Sequence, residues 1–86
     1  VKALETHPTP AQIVGRNIVI ARKLAGMSQT QLATLVGVPR NYVSDWERGR
    51  HEPRPGSFAK LTEALERPRW WFYKDHTEDD GEVPAA

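Results

Sequence analysis

The sequence predicts an all-α fold, a compact bundle of five short helices, on three observations. No stretch alternates β-branched and polar residues in the period-two pattern of a strand. Residues that cap or open a helix recur along the chain, each followed by apolar residues three or four apart. Glycines stand where the first three helices should stop. The 86 residues suffice for one small domain and not two.

The elements follow in order. Thr9-Pro10-Ala11-Gln12 combines a capping residue, a proline at the first helical position and a glutamine where a capping box needs one. It predicts a helix over about 10–25, with Val14, Ile18, Ala21 and Ala25 on one face and Gly26 as its end. Ser28-Gln29-Thr30-Gln31 is a second capping box and opens a short helix with Leu32, Ala33, Leu35 and Val36, stopped by Gly37. Pro39 starts a third helix over about 39–48, with Val43 and Trp46 inward and Gly49 after it. Arg54-Pro55 starts a fourth over about 55–66, with Phe58, Leu61 and Leu65 inward. Pro68 starts a last turn through Trp70, Trp71, Phe72 and Tyr73. The organisation expected is an N-terminal extension over 1–8, a folded domain over 9–74 and an acidic tail over 75–86 with too little apolar content to fold.

Composition excludes several classes. With no cysteine there is neither a disulfide framework nor a thiolate metal site. No apolar run approaches the ~18–20 residues of a membrane span. The N-terminus lacks a secretion signal, so a cytoplasmic protein is expected. Val1 stands where an initiating Met would, which leaves a processed product or a fragment open. The net charge of +1 is unevenly spread: residues 1–74 hold all 12 Lys and Arg against six acids, and residues 75–86 hold five acids and no base. The body is therefore basic, as a partner of polyanions should be; an ordinary solvated surface is the plainer alternative.

Residues 28–48 narrow the choice. Two helices of about eight residues joined by a three- or four-residue turn at Gly37 cannot lie antiparallel, so they cross steeply. Leu32, Val38, Val43 and Trp46 then fill the angle, and the third helix keeps an outer face with Arg40, Asn41, Ser44, Asp45 and Arg48. A helix fits the major groove of B-DNA. Arg reads guanine O6 and N7, Asn reads adenine N6 and N7, and Asp accepts from cytosine N4. Gln29, at the second helix's N-terminus, is placed for a phosphate.

The residues Arg22, GMSQTQLA (26–33), VGV (36–38), WERGRHEP (46–53) and KLTEAL (60–65) resemble the Cro/C1-type, or XRE, helix-turn-helix family of phage and bacterial repressors. The resemblance spans residues 13–72. It implies a lambda-repressor-like DNA-binding domain with the helix-turn-helix at helices two and three. By the same resemblance, Pro39, Arg40, Asn41 and Asp45 are base-reading positions. Gln29, Ser28, Ser44, Arg48 and Arg50 are phosphate-contacting. Arg22 and Glu47 are a partly buried structural ion pair. The implied partner is a double-stranded DNA operator, in a complete small protein of this kind or the DNA-binding domain of something longer.

The chain departs from the family pattern. Pro39 stands where Ser or Thr is usual, which removes a side-chain cap. Asp45 has local pairing with Arg40 or Arg48 as its alternative to base reading. Glu66 stands where a capping glycine is usual. The first helix starts earlier than in many members. Ile13, Ile20 and Leu24 form a second apolar stripe, and with Trp70 and Tyr73 they are candidates for a self-association surface, giving a homodimer at least on DNA. Partial fold-back of the aromatic run on the first helix is the alternative.

An enzyme is not expected. His7, His51 and His76 are scattered, His51-Glu52 lacks a second ligand at i+4, and there is no phosphate loop. No catalytic residue, metal, cofactor, membrane contact or small-molecule substrate is expected. The competing function is an antitoxin or protein-interaction adaptor on the same fold, with the C-terminal region occupying a protein partner.

Overall fold

Each of the first two helices begins where a side chain satisfies the open N–H groups of its first turn. Thr9 Oγ1 accepts from Gln12 N at 3.1 Å while Gln12 Oε1 accepts from Thr9 N at 2.9 Å. Ser28 and Gln31 make the same reciprocal pair at 3.0 and 2.8 Å. The computed structural model describes residues 7–76. Its helices are α1 (Pro10–Leu24), α2 (Gln29–Val36), α3 (Arg40–Glu47), α4 (Pro55–Leu65) and α5 (Arg69–Tyr73). No strand occurs among the described residues.

The core is the meeting of five helix faces. Val14, Ile18 and Ala21 of α1 meet Leu32, Ala33 and Val36 of α2 and Val43 and Trp46 of α3; Phe58, Leu61, Leu65, Trp71 and Phe72 complete it. α3 packs on both α1 and α2, α4 packs on α2, and α5 packs on α1 and α4. The α2–α3 turn is closed by Gly37, whose φ of 84° is left-handed and whose N–H donates to Ala33 O. Gly49 closes α3 at φ 76°, and a Cβ there would press on Gln12 of α1. Gly15 serves a different purpose. It is buried in mid-helix, and a Cβ would collide with the carbonyl oxygen of Trp46. Its missing side chain lets α1 and α3 touch backbone to backbone, which offsets the ~1 kcal/mol a helical glycine costs against alanine.

Several expectations need correction. Ala25 is exposed and caps α1 instead of extending its apolar face. Leu35 is 57% exposed, because Leu32, Ala33 and Val36 span the buried arc of α2 and Leu35 falls outside it. Pro39 is the N-cap of α3, not its first residue, and α3 ends at Glu47. Glu66 itself takes the left-handed capping conformation, with φ 56° and its N–H donating to Thr62 O. The second stripe of α1 is not uniformly free, since Ile20 packs partly on the core.

Packing continues past the expected boundary at 74. His76 is buried, its Nε2 donates to Trp71 O at 2.8 Å, and its ring lies 4.3 Å from that of Trp71. The rest of the segment expected to be an unfolded tail, 77–86, lies outside the described residues, as does 1–6 of the expected extension.

Candidate nucleic-acid interface

The outer face of α3 is held away from its supports by the residues on its inner face. Val43 and Trp46 are buried three residues apart, so Arg40, Asn41 and Arg48 emerge on the exposed side. Ser44 and Asp45 lie half-buried between the two faces. The hollow beside the C-terminal half of α3, lined by Tyr42, Asp45, Trp46, His51, Glu52 and Arg54, leaves that flank open.

Of the expected base readers, Arg40 and Asn41 are exposed neighbours on the first turn of α3. Pro39 is exposed just before them and makes no side-chain cap. Asp45 pairs with neither Arg40 nor Arg48: its Oδ1 faces Arg50 Nη1 at 3.5 Å, a loose contact. Of the expected phosphate contacts, Ser28 uses its oxygen to cap α2 and keeps its hydroxyl hydrogen. Ser28 and Gln31 have their N–H groups taken by the capping box, whereas those of Gln29 and Thr30 point off the first turn outside the helical ladder. Arg48 caps α3 and Arg50 lies two residues on, both exposed.

The expected ion pair is present and bidentate. Arg22 Nε donates to Glu47 Oε2 at 2.6 Å and Nη2 to Glu47 Oε1 at 3.1 Å, with both side chains largely buried. Arg22 Nη1 also donates to Met27 O at 2.9 Å, which ties the α1–α2 turn to the pair. From Glu47 the bonding runs outward. Gln29 Nε2 donates to Glu47 Oε1 at 2.8 Å, and Arg40 Nη1 donates to Gln29 Oε1 at 2.8 Å. Four side chains thus join α1 to the exposed tip of α3.

The self-association candidates differ in exposure. Leu24 is 60% and Trp70 62% exposed, while Ile13 and Ile20 are half-buried. The Tyr73 ring stacks on Phe58, with centroids 5.6 Å apart, and its hydroxyl donates to Glu52 Oε1 at 3.0 Å. Partial burial, and then the Glu52 carboxylate, raise the Tyr73 pKa above its ordinary 10.0.

Three residues escaped the sequence reading. Asn17 is 2% exposed, and its Nδ2 donates to Phe72 O and Lys74 O at 2.7 and 2.8 Å, with Trp71 O at 3.3 Å. Its sign was a polar residue set among Val14, Ile18 and Ala21 on the core face. Gly15 carried the sign of an unexplained glycine inside a helix. Tyr42 adds an exposed ring to α3, edge-on to Trp46 at 6.5 Å. Among the described residues no cluster of three or more His, Asp or Glu could hold a metal ion, and no helix is long and apolar enough to cross a membrane.

A profile of the helix-turn-helix family matches residues 18–71. The chain is 32% identical over 66 residues to the uncharacterized HTH-type transcriptional regulator y4aM of Sinorhizobium fredii, a match covering 77% of this chain. The chain spans only 46% of that relative's length. Among solved structures, it resembles the restriction-modification controller protein C.AhdI from Aeromonas hydrophila, with 30% identity and a TM-score of 0.68 over 73% of this chain and 96% of that one. It also resembles the P22 c2 repressor protein solved in complex with a synthetic operator, with 31% identity and a TM-score of 0.70 over 74% and 97%.

Proposed function

This chain belongs to the Cro/C1-type (XRE) helix-turn-helix family, and from that premise we propose that it is a sequence-specific DNA-binding transcriptional regulator, a phage- or prophage-type repressor that lays α3 in the major groove. The observation that carries the reading is the exposed Arg40-Asn41 pair on a helix whose opposite side is locked into the core by Val43 and Trp46. Arg40 presents paired donors for guanine and Asn41 a donor and acceptor for adenine. Asp45 stands beside them as an acceptor for cytosine, shared with Arg50. Pro39 makes a rigid shoulder against the adjoining base. Ser28, the first-turn N–H groups of α2, Ser44, Arg48 and Arg50 take the flanking phosphates.

The P22 c2 repressor resembled by this chain was solved with a synthetic operator, and the matching fold supports the same mode of docking here. The DNA-binding unit begins at Thr9 and runs through α5. It acts as a homodimer on DNA, using the exposed Trp70 and Tyr73 of α5 with Leu24, Ile13 and Ile20 of α1, because one unit reaches only one half-site. It works by binding and needs no catalytic group or cofactor.

The test is a salt titration of binding to random-sequence duplex. Phosphate engagement gives a linear fall of log K with log salt, about −0.9 per phosphate neutralised. A flat response overturns the reading and favours a protein partner.

A further inference from the structure

A helix that ends on a left-handed residue folds the chain back over its own last turn. α3 ends in this way. Gly49 has a φ of 76° and its N–H donates to Trp46 O at 3.0 Å, while Arg50 N donates to Asp45 O, also at 3.0 Å. These bonds are the two closures of a Schellman motif, which sets the residue after the glycine beside the third residue from the helix end. Two apolar side chains frequently meet there. In this chain a guanidinium meets a carboxylate, with Arg50 Nη1 3.5 Å from Asp45 Oδ1. The ion pair by itself is loose, and exposed pairs of that kind contribute little. The backbone bond is what keeps the two side chains neighbours.

Asp45 lies one turn beyond Asn41 on α3, half-buried at the edge of the outer face. A carboxylate there meets opposing demands. It can accept from cytosine N4, but the phosphates along both walls of the groove repel it. We infer, on the DNA reading proposed above, that Arg50 is a positioning residue for base readout at Asp45: it offsets the charge of the carboxylate and holds one of its oxygens, so that the other faces the groove. A guanidinium has five donors in a fixed fork, so those not turned to Asp45 remain for a flanking phosphate. Arg50 thereby does more than add one phosphate contact, and an acid becomes admissible on a face that approaches a polyanion. The arrangement is anchored in the fold, since Gly49, which folds Arg50 back, lies against Gln12 of α1.

The two residues should therefore be coupled. The experiment measures wild type, Asp45→Ala, Arg50→Met, Arg50→Lys and the double variant Asp45→Ala with Arg50→Met against duplexes that carry each base in turn at every position of the preferred site. Asp45→Ala should relax preference at one position. Arg50→Met should relax the same position by about two- to fivefold, and it should weaken every duplex as well. Arg50→Lys, which keeps the charge, should retain most of that preference. With Asp45 already removed, Arg50→Met should relax nothing further. Its uniform loss should also be about two- to fivefold smaller, because no unscreened carboxylate is left to face the phosphates. An equal loss on all duplexes in both backgrounds would overturn the assignment and leave Arg50 a phosphate contact alone. Full preference at every position after Asp45→Ala would overturn it too, since Asp45 would then read no base. A wild type that prefers no base at any position sinks the DNA reading itself, whereas a selective wild type without the coupling sinks only this pairing.

Discussion

The side-chain nitrogen of Asn17 lies 2.7 Å from the carbonyl oxygen of Phe72, so an amide in the middle of α1 closes the end of α5. Lys74 O is also within reach at 2.8 Å. These carbonyls sit at a helix end, where intrahelical donors run out, and α5 is too short to hold itself together. Asn17→Ala strands the acceptors in the core and should cost about 2–3 kcal/mol of stability. Urea unfolding would show it as a lower midpoint at constant slope. A change under about 0.5 kcal/mol, the size of an ordinary surface substitution, would mean that water or another group satisfies these oxygens.

The Arg22–Glu47 pair predicts an asymmetry between single and double variants. Glu47→Ala leaves a largely buried guanidinium without its carboxylate and should destabilise by about 3 kcal/mol. Replacing both partners, as Arg22→Met with Glu47→Leu, removes the charge to be desolvated and should recover most of that loss. Equal instability of the single and double variants in chemical denaturation would place the cost in lost packing, not in the stranded charge.

Glu66 caps α4 at φ 56°, where a side chain is strained and glycine is not. Glu66→Gly should therefore stabilise the domain by about 1 kcal/mol. For a domain of this size that is a rise in Tm of roughly 4–8 °C. A fall in Tm would show that the Glu66 side chain contributes more than its backbone costs.

Tyr73 makes stability sensitive to alkali. Its folded pKa is raised, by burial first and by Glu52 second. The neutral phenol is thus favoured by the fold, and its contribution is complete below the unfolded value near 10. As pH rises, the unfolded chain ionises first and that contribution is lost. Between pH 9 and about 11, thermal melts of the wild type should fall more steeply than those of Tyr73→Phe. Parallel curves would show that the bond to Glu52 does not persist in solution.

What was legible in the sequence was local. The capping boxes at Thr9–Gln12 and Ser28–Gln31 are decided by residues three apart, and both form as read. The Gly37 turn and the inward Val43 and Trp46 follow from spacing alone, and they already place Arg40 and Asn41 on the far side of α3. What could not be read depends on partners far along the chain. Asn17 finds its acceptors 54 to 57 residues away, and Gly15 is explained by the backbone of Trp46 and Glu47. The bond between Gln29 and Arg40 crosses the turn between two helices, and its direction depends on Glu47, which spacing does not reveal. Leu35 lies outside the buried arc of α2, because apolarity alone does not fix which arc faces inward.

On the proposed function, the outward edge of α3 reads base sequence through Arg40 and Asn41. Selection of bound duplexes from a random pool, carried out with the wild type, Arg40→Ala and Asn41→Ala, tests it most directly. The wild type should select a defined motif, and each variant should lose preference at a different base position with the rest of the motif retained. Recovery of the same motif by all three proteins, or of none by the wild type, would contradict it.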